Sequence, residues 1–323
     1  MKYITAKTDL GEKATFQKYN GKFLEESDAQ DLISVTEDTA IMKPVASLDG
    51  SDVPLAYVIC NAFPNDNVRN VLATIEDTST MRANCSGPID KEEMAAKGLI
   101  EGEHYKLRTP NSYHVRTKSG DWGMIAYANE INSVMIGHKR GRFTGGIDVS
   151  GWTKDNPDKF EILKEISVYN EKAFDKANFE VYNKQRKFAE SFVKPEHRMG
   201  IFTTLSANRY HAGQSTKMAA HVDSGDTEFG MTSMCVFRQG DYQGAYLIFP
   251  RYGIGIDAPS NSVVIADSLQ IHGVSPIRGN GERFSCVAYC DNRLATIGVA
   301  GKSERKIGRF AKKEIGNLEQ FFS

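Results

Sequence analysis

The chain has 323 residues, with 40 Lys and Arg against 41 Asp and Glu, a formal net charge of −1, a pI near 6.7, 40% hydrophobic residues and a mean hydropathy of −0.42. That length can bury a full core as one large domain or two, and the balance excludes a protein that coats nucleic acid non-specifically, though not an enzyme with local basic patches. No run reaches membrane-spanning length and MKYITAKTDLGEK lacks the apolar stretch of a signal peptide; with five cysteines (Cys60, Cys85, Cys235, Cys286, Cys290) and no CxxC pair, a reducing cytoplasmic or nuclear setting is expected.

Residues 1–125 read as an N-terminal region packed on the core, mixing strand-like pieces such as 54–59 with acidic turns. Asp90 and Glu93 have capping-box spacing and open a short helix that Gly98 ends. The core is placed at 126–300. Near its start, 137–142 gathers His138, Lys139, Arg140 and Arg142 between glycines, a loop suited to phosphate oxygens or to plain solvation. Asn156-Pro157 then opens a long helix over 157–192, with Ile162, Ile166, Tyr169, Ala173 and Ala177 at helical spacing. Its aromatics, Phe160, Phe174, Phe179, Tyr182 and Phe188, read as core.

Beyond that helix the period changes to two. Strands are expected at 231–237, 245–249, 253–257, 262–266 and 282–290, with turns at 238–244, 250–253, 258–261 and 275–281. Short strands at this spacing indicate an α+β protein whose centre is a sandwich or jelly roll rather than a parallel sheet. In the tail, 301–323, a helix capped by Ser303 would gather Lys302, Arg305, Lys306, Arg309, Lys312 and Lys313 on one face and Ile307, Phe310, Ala311, Ile315 and Leu318 on the other.

Chemistry concentrates in the strand-rich half. On a strand, residues i and i+2 share a face, so His221 and Asp223 can both reach one metal, and His272 joins them if the intervening hairpins return a strand beside the first. Two imidazoles and a carboxylate are the facial set that holds non-haem Fe(II) with positions left open. Arg283 and Ser285 share a face of their own strand, where guanidinium and hydroxyl can converge on one carboxylate. Asp267 or Gln270 could orient a ligand imidazole, and His211 reads as structural or supporting. A cupin with another metal is the nearest alternative, but it usually takes a fourth protein ligand.

With these residues in place, the chain resembles the Fe(II)/2-oxoglutarate-dependent dioxygenases over roughly 208–292, through His221-Val222-Asp223, His272 and Arg283-Phe284-Ser285. Within them it looks most like the TET/JBP group, through the run 244–250 (GAYLIFP), Tyr252-Gly253-Ile254, 267–274 (DSLQIHGV) and the entering Asn208-Arg209-Tyr210. The resemblance implies a double-stranded β-helix (jelly-roll) oxygenase core with flanking helices. It implies Fe(II) on His221, Asp223 and His272, with 2-oxoglutarate on Arg283 and Ser285 and O2 as oxidant. The implied reaction is hydroxylation of a pyrimidine 5-methyl group, in 5-methylcytosine or thymine, with nucleic acid, most simply DNA, as partner. Asp226 and Asn208 would then lie near the base, and Lys139, Arg140 and Arg142 near phosphates. The chain departs from the group in two places. Asp226 stands where the pattern often has a base-contacting Asn, and an ionised carboxylate accepts but cannot donate. The interval from His272 to Arg283 is also shorter than is common there. Two other readings remain open from sequence: a hydroxylase of an amino acid, peptide or other small molecule, and a binding module that no longer catalyses.

Overall fold

The structure, a computed structural model, describes residues 1–44, 54–64, 72–74, 91–96, 98–109, 112–116, 122–127, 132–140, 147–195, 198–211, 218–223, 225–292 and 294. The expected tail helix at 301–323 lies outside them, as do Cys85, Asp90 and Arg142. In chain order the strands are β1 (Lys2–Thr5), β2 (Asp31–Ser34), β3 (Thr39–Met42), β4 (Pro54–Cys60), β5 (Tyr105–Thr109), β6 (Ser112–Arg116), β7 (Trp122–Tyr127), β8 (Asn132–Arg140) and β9 (Ile147–Val149). After the main helices come β10 (Thr204–His211), β11 (Met218–His221), β12 (Thr232–Gly244), β13 (Leu247–Phe249), β14 (Ile254–Asp257), β15 (Ser262–Ala266), β16 (His272–Val274) and β17 (Ile277–Tyr289).

A nine-stranded sheet, ordered β1-β3-β4-β15-β12-β17-β10-β8-β9, faces a five-stranded one, β11-β16-β13-β14-β2; β5, β6 and β7 form a small third sheet. The large sheet alternates cleanly, and each face meets a different neighbour. Leu205 and Ala207 of β10, Cys235 and Phe237 of β12, Val263 and Ile265 of β15, and Phe284, Cys286 and Ala288 of β17 point outward. There they bury Phe160, Leu163, Ile166, Ala173 and Phe174 of the helix Pro157–Ala177. The opposite face packs on the small sheet through Val236, Val264 and Ile277 against Leu247, Phe249, Ile254 and Val274. This is a two-layer jelly-roll core with helices on one side, as expected for the α+β class. Strands from the first sixty residues complete both sheets: β4 pairs with β15, and β2 runs parallel to β14. No described helix is long and apolar enough to cross a membrane.

Three local expectations need correction. The runs 238–244 and 275–281 are not two turns: β12 continues through the first and β17 takes up the second from Ile277, pairing Arg238 with Arg283 and Gly244 with Ile277. Their glycines permit close backbone approach instead. A Cβ on Gly240 would sit 2.5 Å from the Asn280 carbonyl oxygen, and one on Gly244 2.0 Å from that of Pro276, both at positive φ. The long helix breaks at Asn178, whose extended backbone and side chain cap the next helix, Phe179–Phe192, at Val181 N–H. Ile162 is exposed, and Phe160 and Leu163 are buried in its stead. Finally, Gly137 to Arg140 are not a loop but the end of β8, paired with β9 through Lys139–Asp148 and Arg140–Ile147.

Candidate metal and co-substrate site

β11 and β16 are antiparallel neighbours in the small sheet and pair His221 directly with His272. Their ring centroids lie 4.6 Å apart. β11 stops at His221, so Asp223 stands just past the strand end rather than on it, held by its N–H to the Ser268 carbonyl (3.1 Å). One Asp223 oxygen is 3.4 Å from His221 Nε2 and the other 3.6 Å from His272 Nε2. One ligand atom from each of the three residues falls within 4.8 Å of the others, the geometry of a cluster that can hold a metal ion.

The tautomers follow from the backbone. His221 Nδ1 is 2.8 Å from the Ala219 carbonyl, and His272 Nδ1 2.9 Å from that of Gln270. A carbonyl only accepts, so each Nδ1 carries a proton, and each Nε2 faces Asp223. Of the two side chains expected to orient an imidazole, Gln270 does so through its main chain. The Asp267 carboxylate bonds Lys43 and the Gln270 amide instead.

The charges suit a cation. Burial would lower the His221 pKa, but the Asp223 carboxylate outweighs it and leaves it raised. His272, buried and facing His221, is lowered. Asp223 sits below the usual carboxylate range, because its bond to His221 and the charge of both imidazoles overcome burial. Three residues further on, burial and then the Asp223 charge push Asp226 up to about 7, against hydrogen bonds from Ser268 and Thr232. Both of those hydroxyls bond the same Asp226 oxygen, Ser268 at 2.6 Å.

A cavity of about 530 Å³ opens on the three residues, between the inner face of the large sheet and the small sheet. Asp226, Asn208, Ser206, Asn292, Tyr210 and Met234 help line it. Arg283 and Ser285 share the inward face of β17 with Val287 and Tyr289, which line the cavity. Arg283 lies directly behind Tyr210 and Met234: its guanidinium stacks 5.3 Å from the Tyr210 ring centre and reaches Met234 Sδ at 3.4 Å. Ser285 sits opposite Asn208 in register. Arg283 Nη1 and Ser285 Oγ are both buried without a hydrogen-bond partner among the described residues.

The fold brings the trio, Asp226 and Asn208 to one cavity, with Arg283 and Ser285 on the strand that lines it through Val287 and Tyr289. Lys139 and Arg140 lie on β8, beside β10. Sequence reading misses Thr232 and Ser268, which hold Asp226, and Tyr210 and Met234, which flank the guanidinium. The signal was present for Tyr210: it shares strand parity with Asn208.

No family model matches the chain. In sequence it is similar to the bifunctional helicase and thymine dioxygenase JBP2 of Trypanosoma brucei brucei (strain 927/4 GUTat10.1), 26% identical over 275 residues, 83% of this chain and 21% of that protein. The chain therefore spans about a fifth of the length of the curated relative it matches. In structure it is similar to NgTET1 solved in complex with 5mC DNA, with a TM-score of 0.52 and 12% identity over 88% of this chain and 90% of that one. These matches bear out the likeness to the Fe(II)/2-oxoglutarate oxygenases and, among them, to the TET/JBP group.

Proposed function

We propose that this chain, a TET/JBP-like member of the Fe(II)/2-oxoglutarate oxygenases, hydroxylates the 5-methyl group of a pyrimidine in nucleic acid, 5-methylcytosine or thymine. One observation carries the reading. Two imidazoles and a carboxylate converge within 4.8 Å at a cavity, and a guanidinium nitrogen and a hydroxyl nearby are buried without partners among the described residues. Such atoms cost about 1–3 kcal/mol each when unsatisfied, so they fit a ligand rather than a core. A dicarboxylate whose far end meets Arg283 and Ser285 satisfies both, and the nitrogen–nitrogen–oxygen donor set suits Fe(II) with positions left open.

When bound, Fe(II) and 2-oxoglutarate supply the oxidising power: O2 is consumed, 2-oxoglutarate leaves as succinate and CO2, and one oxygen enters a substrate C–H. The protein's own share is placement. His221, Asp223 and His272 hold the metal, with Nδ1–H bonds to main-chain carbonyls fixing each ring. Arg283 and Ser285 set the co-substrate's direction, and Tyr210 and Met234 keep water from the guanidinium. Asp226 and Asn208 face the substrate from the cavity wall. Asp226 presents its carboxyl group to a base edge. Lys139, Arg140 and Arg142 contact phosphates.

The similarity to JBP2 and to NgTET1 supports a base in DNA as substrate. The test is succinate formation from 2-oxoglutarate with Fe(II) and ascorbate in parallel reactions. These contain 5-methylcytosine DNA, thymine-only DNA, unmethylated DNA of cytosine and uracil, or a pool of amino acids and peptides. Stimulation by one DNA, with the matching hydroxymethyl base found by mass spectrometry, is the expected result and names the base. Stimulation by the small-molecule pool alone would overturn the nucleic-acid reading and keep the iron chemistry.

A further inference from the structure

The two imidazoles are oriented by carbonyls of unequal security. Ala219, which holds His221, belongs to β11, and the neighbouring backbone is tied down: Ala220 N–H bonds Lys22 O at 2.7 Å, and Gly21 N–H bonds Ala220 O at 2.8 Å. Gln270, which holds His272, lies in the connection between β15 and β16, with no strand to fix its peptide. Its main-chain N–H makes only a turn bond to Asp267 O, 3.2 Å.

Side chains fill that role. Gln270 Oε1 accepts from Arg251 Nη1 and from the Tyr252 hydroxyl, both at 3.0 Å, and Gln270 Nε2 donates to Asp267 Oδ2 at 3.1 Å. The flanking residues are anchored in turn by the N-terminal segment. Arg251 donates to both oxygens of Asp9, at 2.8 and 3.0 Å, and Lys43 Nζ donates to Asp267 Oδ2 at 2.7 Å. These ion pairs are largely shielded, with side chains 12–18% exposed. That burial makes them stiffer than surface pairs, which contribute little.

Resting on the metal reading above, we propose that Gln270 is a positioning residue for His272, and that Arg251 with Asp9, and Asp267 with Lys43, form the brace that holds it. Nothing in the brace touches the metal position. Its action runs through one hydrogen bond, from His272 Nδ1–H to the Gln270 carbonyl. An imidazole whose outer nitrogen is loosely held swings its inner one off line, and loss of such support typically weakens metal binding about 10- to 100-fold.

The experiment titrates the metal-free full chain with Co(II), following the visible d–d bands, for wild type, Gln270→Ala, Arg251→Met, Arg251→Lys, Arg278→Ala and His221→Ala. Melting of each metal-free protein is recorded alongside. The expected result is Co(II) affinity reduced about tenfold or more in Gln270→Ala and Arg251→Met, with a changed band shape at saturation. Arg251→Lys, which keeps the charge but loses the planar fork that reaches Asp9 and Gln270 together, should fall between these and wild type. Arg278→Ala, which removes an exposed guanidinium paired with Glu25 and Glu26, should bind Co(II) as wild type does. Cooperatively folded Gln270→Ala and Arg251→Lys that bind Co(II) within twofold of wild type, with unchanged bands, overturn the brace and leave the metal site standing. His221→Ala binding Co(II) like wild type overturns the metal site itself, and the brace with it.

Discussion

The outer and inner faces of the nine-stranded sheet are built from alternate residues of the same strands, yet they do opposite things to stability. Outward, Leu205, Phe237, Phe284 and their neighbours are fully buried against the Pro157–Ala177 helix and leave nothing polar on that face of β17 between Phe284 and Ala288. Inward, the same stretch of β17 buries Arg283 and Ser285 with hydrogen-bonding capacity unused. The first face holds the sheet together. The second is a standing cost to the ligand-free protein, of the kind that marks a site rather than a core.

Substitutions on the two faces should therefore separate binding from stability. The largest effect belongs to the metal trio: His221→Ala or Asp223→Ala should abolish 2-oxoglutarate turnover while the metal-free protein melts close to wild type. Chelation of wild type should do the same and be reversed by Fe(II); full activity in either variant would end the metal assignment. Next comes the outer face. Phe237→Ala should cost about 3–5 kcal/mol in urea unfolding, yet leave the KM for 2-oxoglutarate within about twofold in protein still folded. A comparable loss of co-substrate affinity would mean the faces are not independent.

Arg283→Ala should show the reverse, raising the 2-oxoglutarate KM about 10- to 100-fold through loss of a charge-assisted bond. Its metal-free melting temperature should not fall. Ser285→Ala is the milder form, a few-fold in KM for about 0.5–1.5 kcal/mol. The smallest effect belongs to the basic run that begins on β8. Neutralising Lys139, Arg140 and Arg142 together should weaken DNA binding and flatten its log–log salt dependence by up to about 3. An unchanged slope would return that stretch to plain surface.

Alternation is what made much of this readable in advance. The strand expected at 262–266 is β15, and 253–257 matches β14 within a residue. The return of a strand beside His221 is what β16 does. Glycine was the misleading signal. In 238–244 and 275–281 it reads as turn, because sequence cannot distinguish a residue that lets the chain bend from one that lets two chains touch; Gly240 and Gly244 do the second. The break at Asn178 was hidden by apolar spacing that runs on through both helices. The brace on Gln270 was out of reach for a different reason: Arg251 and Asp9 are 242 positions apart, and nothing local in either reports the other.

That separation governs how the molecule can form. The partners β2 and β14, Asp9 and Arg251, and Lys43 and Asp267 each join the beginning of the described chain to its last third. Closing loops of this length costs entropy before any contact rewards it, and topologies dominated by such pairings fold slowly. A growing polypeptide that has passed Asp223 but not His272 possesses two of the three ligands and lacks the strand that sets the third beside them. The metal position is therefore a product of late assembly. It cannot be filled by the trio before His272 has been made, and a chain stalled between Asp223 and His272 would carry the motif without the site.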